Sequence, residues 1–228
     1  MKNMRVLGIE LKDYSVKEAM RMVDRFLKNA KVDTICFLST EILVTAGDSP
    51  ELKLWLESMD LTVPISTEIL YAANLASRQR LKEVENSSFY TAFIRKLSTE
   101  KRTVFILTEK EETIRTSTEY LEKNAPGVQI VGSYAFESLT GDPDTIVNEI
   151  NSTSPDIVFS RLPSPKQERF VYENKSKMNA KLWVAIKENF LAKEGKNSLK
   201  IRNLSTLIEK TIFRRTVSKY VNGREKGD

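Results

Sequence analysis

The stretch TVFILTEKEETIRTSTEYLEKNAPGVQIVGSY, residues 103–134, decides the fold. Its opening run, TVFILT (103–108), is uninterrupted and rich in apolar residues, the pattern of a strand covered on both faces. Thr113 to Asn124 then reads as a helix that stops near Pro126-Gly127, and VQIVGSY (128–134) returns to strand character. A strand, a helix and a second strand in this order imply a parallel pair joined by a right-handed crossover.

Outward from this unit the alternation continues. Toward the C-terminus come a helix over Pro143–Ser152, the strand PDIVFS (155–160), the helical segment PKQERFVYENKSKM (165–178) and the strand KLWVAI (181–186). Toward the N-terminus lie the strands DTICFLS (33–39) and DLTVPI (60–65), with helices predicted over Glu41–Ala46, from Pro50 onward, over Thr67–Arg80 and over Phe89–Leu97. VLGIEL (6–11) reads as a further short strand, and Ser15 with Glu18 three residues on forms a capping box that opens a helix over Val16–Asn29. The whole is an α/β chain with a mostly parallel, Rossmann-like sheet flanked by helices. From about Ser198, Leu204, Leu207, Ile208, Ile212 and Phe213 recur at helical spacing, so 1–195 reads as the α/β domain and 196–228 as a basic helical tail.

Composition narrows the chemistry. The 228 residues include no histidine, which excludes His-based acid/base catalysis, Ser-His-Asp and Cys-His triads, and His-ligated metal. The single cysteine, Cys36, sits in the apolar run TICFL and reads as a core thiol. Neither a metal nor a cofactor is called for, and no nucleic-acid partner is expected. No segment has the length and apolarity of a membrane span and the start carries no signal-peptide core, so a cytoplasmic location is expected. Basic residues gather late in the chain, at Lys193, Lys196, Lys200, Arg202, Lys210, Arg214, Arg215, Lys219, Arg224 and Lys226. Such an end suits an anionic lipid surface at the inner face of the plasma membrane, or a solvated tail.

Ligands of parallel sheets bind beyond the carboxyl ends of the strands, where glycine lets backbone approach phosphate. The segments that follow the strands here are Ser39-Thr40-Glu41, Ile65-Ser66-Thr67, Thr108-Glu109-Lys110, Tyr134-Ala135-Phe136, Arg161-Leu162-Pro163 and Lys187-Glu188-Asn189, none with a glycine. Eight glycines in the whole chain is about half of ordinary usage. Neither a GxGxxG fingerprint nor a P-loop is present.

INSTSPDIVFSRLPSPKQERFVYEN (150–174) resembles the signature of the WecG/TagA/CpsF-type bacterial glycosyltransferases (glycosyltransferase family 26). Asn151, Pro155, Asp156, Ser164, Pro165, Lys166, Gln167 and Glu168 keep the pattern. MRVLGIELKDYSVKEAM, FLSTEILVTAGDSPELKLWLESMDLTVPI and the 103–134 stretch follow the family in order, over about residues 4 to 190. The resemblance implies transfer of a hexosamine from a UDP-sugar to an undecaprenyl-diphosphate-linked acceptor, with no bound metal and an aspartate in a Pro-Asp-Gly turn as base.

Carried over position by position, that aspartate falls on Ile65 and its glycine on Ser66. A polar residue falls on Phe37, an asparagine on Ser39, and an Arg-Val-x-Gly element on Glu83-Val84-Glu85-Asn86. A glycine pair falls on Thr108-Glu109, a glycine-bearing turn on Ser160-Arg161-Leu162-Pro163, and another on Ala185-Ile186-Lys187. The departures cluster at the ligand face. Missing glycines close it, and Glu83 and Glu109 are expected to repel a diphosphate.

No residue is therefore assigned a catalytic role. Ser39, Thr40, Lys166 and Gln167 are the candidate substrate contacts, set against helix-capping roles, with Ser164 expected as N-cap and Pro165 at the first helical position. Glu41 and Glu68 are the carboxylates near enough in sequence to stand in for the lost base, though first-turn carboxylates commonly serve the helix dipole. Arg214 and Arg215 are the candidate contacts for membrane or acceptor phosphate. The functional expectation is a catalytically impaired family member acting as partner or scaffold in cell-surface polysaccharide synthesis, by self-association or beside a related transferase subunit. The alternatives are an active hexosaminyltransferase, with a UDP-sugar donor and a rebuilt site, and a module that senses another small molecule at the old cleft.

Overall fold

The computed structural model describes residues 1–186 and 199–224. Lys2–Val6 (β1) and Ile9–Asp13 (β2) pair antiparallel, whereas Asp33–Leu38 (β3), Leu61–Pro64 (β4), Thr103–Thr108 (β5), Gln129–Ala135 (β6), Ile157–Arg161 (β7) and Leu182–Ala185 (β8) form one parallel sheet in the order β4-β3-β8-β7-β5-β6. The α/β, mostly parallel architecture expected from the alternation is the one observed.

The central strands read as continuous apolar runs because helices cover both faces. On one face the core holds Leu43 of Thr40–Gly47 (α2), Leu52 and Leu56 of Pro50–Glu57 (α3), Ile146 and Ile150 of Asp144–Thr153 (α8), and Phe170 of Lys166–Asn174 (α9). The Trp183 ring stacks on Phe170, centroids 5.6 Å apart, wholly buried beneath this layer. On the other face lie Val23 of Val16–Phe26 (α1), Phe93 and Leu97 of Ser88–Thr99 (α6), and Leu121 of Glu111–Asn124 (α7). The capping box is present: Glu18 N–H donates to Ser15 Oγ at 3.3 Å, and Ser15 N–H to Glu18 Oε2 at 2.9 Å.

Three expectations need correcting. VLGIEL is not one strand. Leu7 and Gly8 take left-handed φ values of 51° and 78°, so the chain reverses there in a two-residue hairpin turn. The helix expected over Thr67–Arg80 is two, Thr67–Ala72 (α4) and Arg78–Glu85 (α5), because Asn74 at φ 56° breaks the run. Ser164 does not cap α9. Pro165 occupies the N-cap and the helix starts at Lys166. The tail is one helix, Leu199–Arg224 (α10), whose Phe213 is buried against the first layer. Residues 187–189, Lys193, Lys196 and the 195/196 boundary lie outside the described residues.

Candidate functional site

Crossovers leave β5 and β7 toward opposite faces, to α7 and α9, so a crevice opens between their carboxyl ends. A second concavity lies near the ends of β3 and β4, where the chain runs from α4 through α5 to α6. These two places hold most of the residues singled out in the sequence.

In the β5/β7 crevice, Lys166 Nζ bonds both Glu109 oxygens at 2.8 and 2.9 Å and stands 4.0 Å from the Phe136 ring centroid. The Glu109 charge is thus compensated from within. Gln167 is buried, its Oε1 accepting from Ser160 Oγ at 3.4 Å. Arg161, standing where a glycine was expected, is buried and donates to Ser117 Oγ on α7 at 2.7 Å. The N-terminus of α7, a natural phosphate cradle, is taken by the chain itself: Glu111 N–H donates to Glu137 Oε1 at 2.6 Å.

At the end of β3, Ser39 Oγ accepts from Ile42 N–H at 3.2 Å and caps α2, and both Ser39 and Thr40 are buried. They follow β3, which β8 separates from β7, the strand that leads to Lys166 and Gln167. Glu68, on α4, is only 5% exposed. Ser66 Oγ donates to it, and Lys210 Nζ at 3.1 Å and Arg214 Nη2 at 3.3 Å reach it from α10. Burial opposes its charge, but the Ser66 hydrogen bond and the Lys210 pairing outweigh burial and hold its carboxyl below the ordinary value. A carboxylate stabilised in this way is a poor proton acceptor. Glu41 and Arg215 are exposed, and Arg214 is committed to Glu68 while its side chain remains 70% exposed.

The β3/β4 concavity is lined by Tyr14, Phe37, Val63, Ile65, Phe89 and Tyr90, with Arg80 and Glu83 above. Phe37 meets Phe89 and Tyr90 with ring centroids 5.8 and 5.9 Å away. The enclosed volume is about 20 Å³, room for a water, whereas small-molecule sites occupy roughly 300 Å³ or more. Arg80, missed in the sequence, is the main polar feature here. Its Nε and Nη2 bond Asp13 at 3.0 and 2.6 Å, and its Nη1 pairs with Glu83. Burial works against the guanidinium charge, but Asp13 and then Glu83 more than restore it. Glu83 is therefore paired, although Asp13 and Glu83 together outnumber the one charge of Arg80. The three-residue spacing of Arg80 and Glu83 on one helix was the available signal. Asp13, distant in sequence, offered none.

Glu168 is wholly buried; neither carboxyl oxygen has a hydrogen bond of ordinary geometry, while Ser164, Gln167 and its own backbone N–H lie close enough to favour its charge in part. Burial pushes its pKa up, and its nearness also raises the Cys36 thiol, which burial lifts well above the ordinary value. Asp156 is structural. Its carboxylate accepts from Thr103 N–H at 3.1 Å and its own N–H donates to Thr103 Oγ1 at 2.8 Å, tying β5 to the start of β7. Among the described residues no cluster of three or more His, Cys, Asp or Glu is placed to hold a metal ion, and no described helix is long and apolar enough to cross a membrane.

Comparison with known proteins accords with this geometry. A model of the glycosyl transferase WecG/TagA/CpsF family matches residues 4–195. The chain is also similar to an N-acetylglucosaminyldiphosphoundecaprenol N-acetyl-beta-D-mannosaminyltransferase of Bacillus spizizenii, 24% identical over 148 residues. That match covers 65% of this chain and 57% of the relative, so the likeness spans little more than half of the relative's length.

Proposed function

For a chain that belongs to the WecG/TagA/CpsF glycosyltransferase family, as this one does, we propose a non-catalytic part in cell-surface polysaccharide synthesis, as partner or scaffold of an active transferase. The observation that carries this reading is the chamber at Ile65. Where the family resemblance puts a proton acceptor, this chain has an aliphatic side chain in an aromatic cluster with about 20 Å³ of free space. The β5/β7 crevice supports it further, because Glu109, Arg161 and Lys166 are bonded to the chain's own groups. In a working site such groups face the substrate and lower the energy of its transition state.

The relative from Bacillus spizizenii is named for acting on a diphosphoundecaprenol acceptor. By extension, the present chain works beside lipid-linked substrates. Peripheral contact with an anionic bilayer through α10 is part of the proposal. Its outward residues include Leu207, Ile208 and Ile212, each at least half exposed, together with exposed Arg215 and Lys219.

Isothermal titration with UDP and a UDP-hexosamine tests the catalytic part. No heat up to millimolar ligand is the expected result. Micromolar binding would overturn the proposal in favour of a hexosaminyltransferase with a rebuilt site.

A further inference from the structure

α5 is attached to the rest of the molecule in an unusual way. None of its residues is buried. Residues in left-handed conformations, Asn74 (φ 56°) and Ser87 (φ 49°), bracket it on either side. Its bonds to the opposite rim are made by charged side chains: Arg80 to both Asp13 oxygens, and Glu83 Oε2 accepting Val16 N–H at 3.3 Å. Asp13 ends β2 and Val16 begins α1, so these bonds cross the mouth of the aromatic chamber. Beneath them, Phe89 and Phe93 stack with centroids 5.9 Å apart, which anchors α6 in the second layer.

We propose that α5 is a latched flap over the β3/β4 chamber, held shut by Arg80 bridging Asp13 and Glu83, and that it opens as a unit while the sheet and α6 stay folded. The physical basis is the contrast between neighbours. A helix whose apolar side chains, Leu81 and Val84, are only partly covered belongs to the low-stability end of a fold, whereas α6, with Phe89, Phe93 and Leu97 buried, opens only with the core. The latch is directional because its cation has two carboxylate partners, one on β2 and one on α5 itself. When the Asp13 bonds break, Arg80 keeps Glu83 and remains charge-paired. Opening therefore takes the cation away from Asp13, a carboxylate that is buried while the flap is shut, and that loss is what holds the flap closed. What it uncovers is apolar: Val63, Ile65 and Phe89 line the chamber, so an apolar group rather than a phosphate is the chemistry that can enter. The inference rests on the flap's attachments and stands whether or not the chain transfers a sugar.

Hydrogen exchange read by mass spectrometry on the full chain tests it. In the wild type, amides in 78–86 should exchange at least about tenfold faster than those in 88–97. Arg80→Met should speed 78–86 by about a further tenfold and leave 33–38, 61–64 and 88–97 unchanged. Arg80→Lys, which keeps the charge and loses the two-pronged contact, should fall between. Equal protection of 78–86 and 88–97 in the wild type would overturn the proposal, even if no variant folds. So would an Arg80→Met effect that is absent, or one that spreads into β3, β4 and α6.

Discussion

Glu168 shows how far one residue in a motif can be from the role its neighbours suggest. It sits in the Pro-Lys-Gln-Glu run, yet its carboxyl is wholly buried, and the support from Ser164 and Gln167 does not offset that burial. An ionised carboxylate there is costly, so the folded state favours the protonated form. The folded-state pKa lies above the unfolded one, so the folded chain binds the extra proton. The stability contributed is full below the unfolded value and declines as pH rises through the folded value. Glu168→Gln should therefore stabilise the protein at neutral pH by on the order of 1 kcal/mol and flatten this decline. Thermal melts across the acidic-to-neutral range check it. Ile65 poses the complementary test. Restoring a carboxylate with Ile65→Asp places a charge in the chamber lined by Phe37 and Phe89, where Arg80 is already bonded to Asp13 and Glu83, and should cost about 2 kcal/mol with no gain in UDP-hexosamine binding. Denaturant melts and titration calorimetry read both consequences.

At the level of elements, the attachment of α10 is the most exposed to experiment. Phe213 fills a wholly buried place in the first layer, and Lys210 and Arg214 clasp Glu68 of α4. Phe213→Ala should cost about 3–4 kcal/mol and free the helix for early proteolytic cleavage. The Glu68 contribution has the opposite pH sign to that of Glu168. Its folded pKa is depressed, so its stabilisation is present above the unfolded value and lost as pH falls through the folded one. Acidification should release α10 before the sheet melts, which far- and near-ultraviolet dichroism followed together can separate. The α7–β6 connection is tight for a different reason. A Cβ on Gly127 would stand 2.0 Å from the Ser98 carbonyl oxygen, so Gly127→Ala should destabilise by about 3 kcal/mol through displacement of the end of α6. Chemical denaturation of the variant checks this.

Across the whole molecule, a scaffold of the family carries strand ends whose charges are paired within the chain. The strands, the two-sided helical cover and the Asp156 tie between β5 and β7 are all scaffold, and they follow the WecG/TagA/CpsF pattern. At the strand ends, charged side chains are paired within the chain: Glu109 with Lys166, Glu83 with Arg80, and Glu137 with the start of α7. Each such pair is a local minimum that a substrate would have to displace, and the two carboxylates on Arg80 leave that cluster with a net negative charge. Mixing the purified chain with a full-length transferase of the family should give a complex detectable by light scattering. A partner role is refuted if the two remain separate at tens of micromolar.

The alternation of short apolar runs with helical segments determined the parallel sheet, because a strand buried on both faces must be apolar throughout and its crossover must be a helix. The absence of histidine and the glycine-free strand ends likewise restricted the chemistry, since side-chain type alone limits what can donate, accept or admit a phosphate. The hairpin at Leu7-Gly8 was missed because its turn sits inside an apolar run and depends on two positive φ angles, not on a change of composition. The break between α4 and α5 was missed because Asn74 interrupts a helix-compatible sequence by conformation alone. Only tertiary structure decided what pairs with Glu109 and with Arg80 across the fold. Charge in a sequence has a sign but no distant partner: Lys166 meets Glu109 at the β5/β7 crevice, and Asp13 meets Arg80 at the β3/β4 chamber, only because folding brings segments 57 and 67 residues apart together.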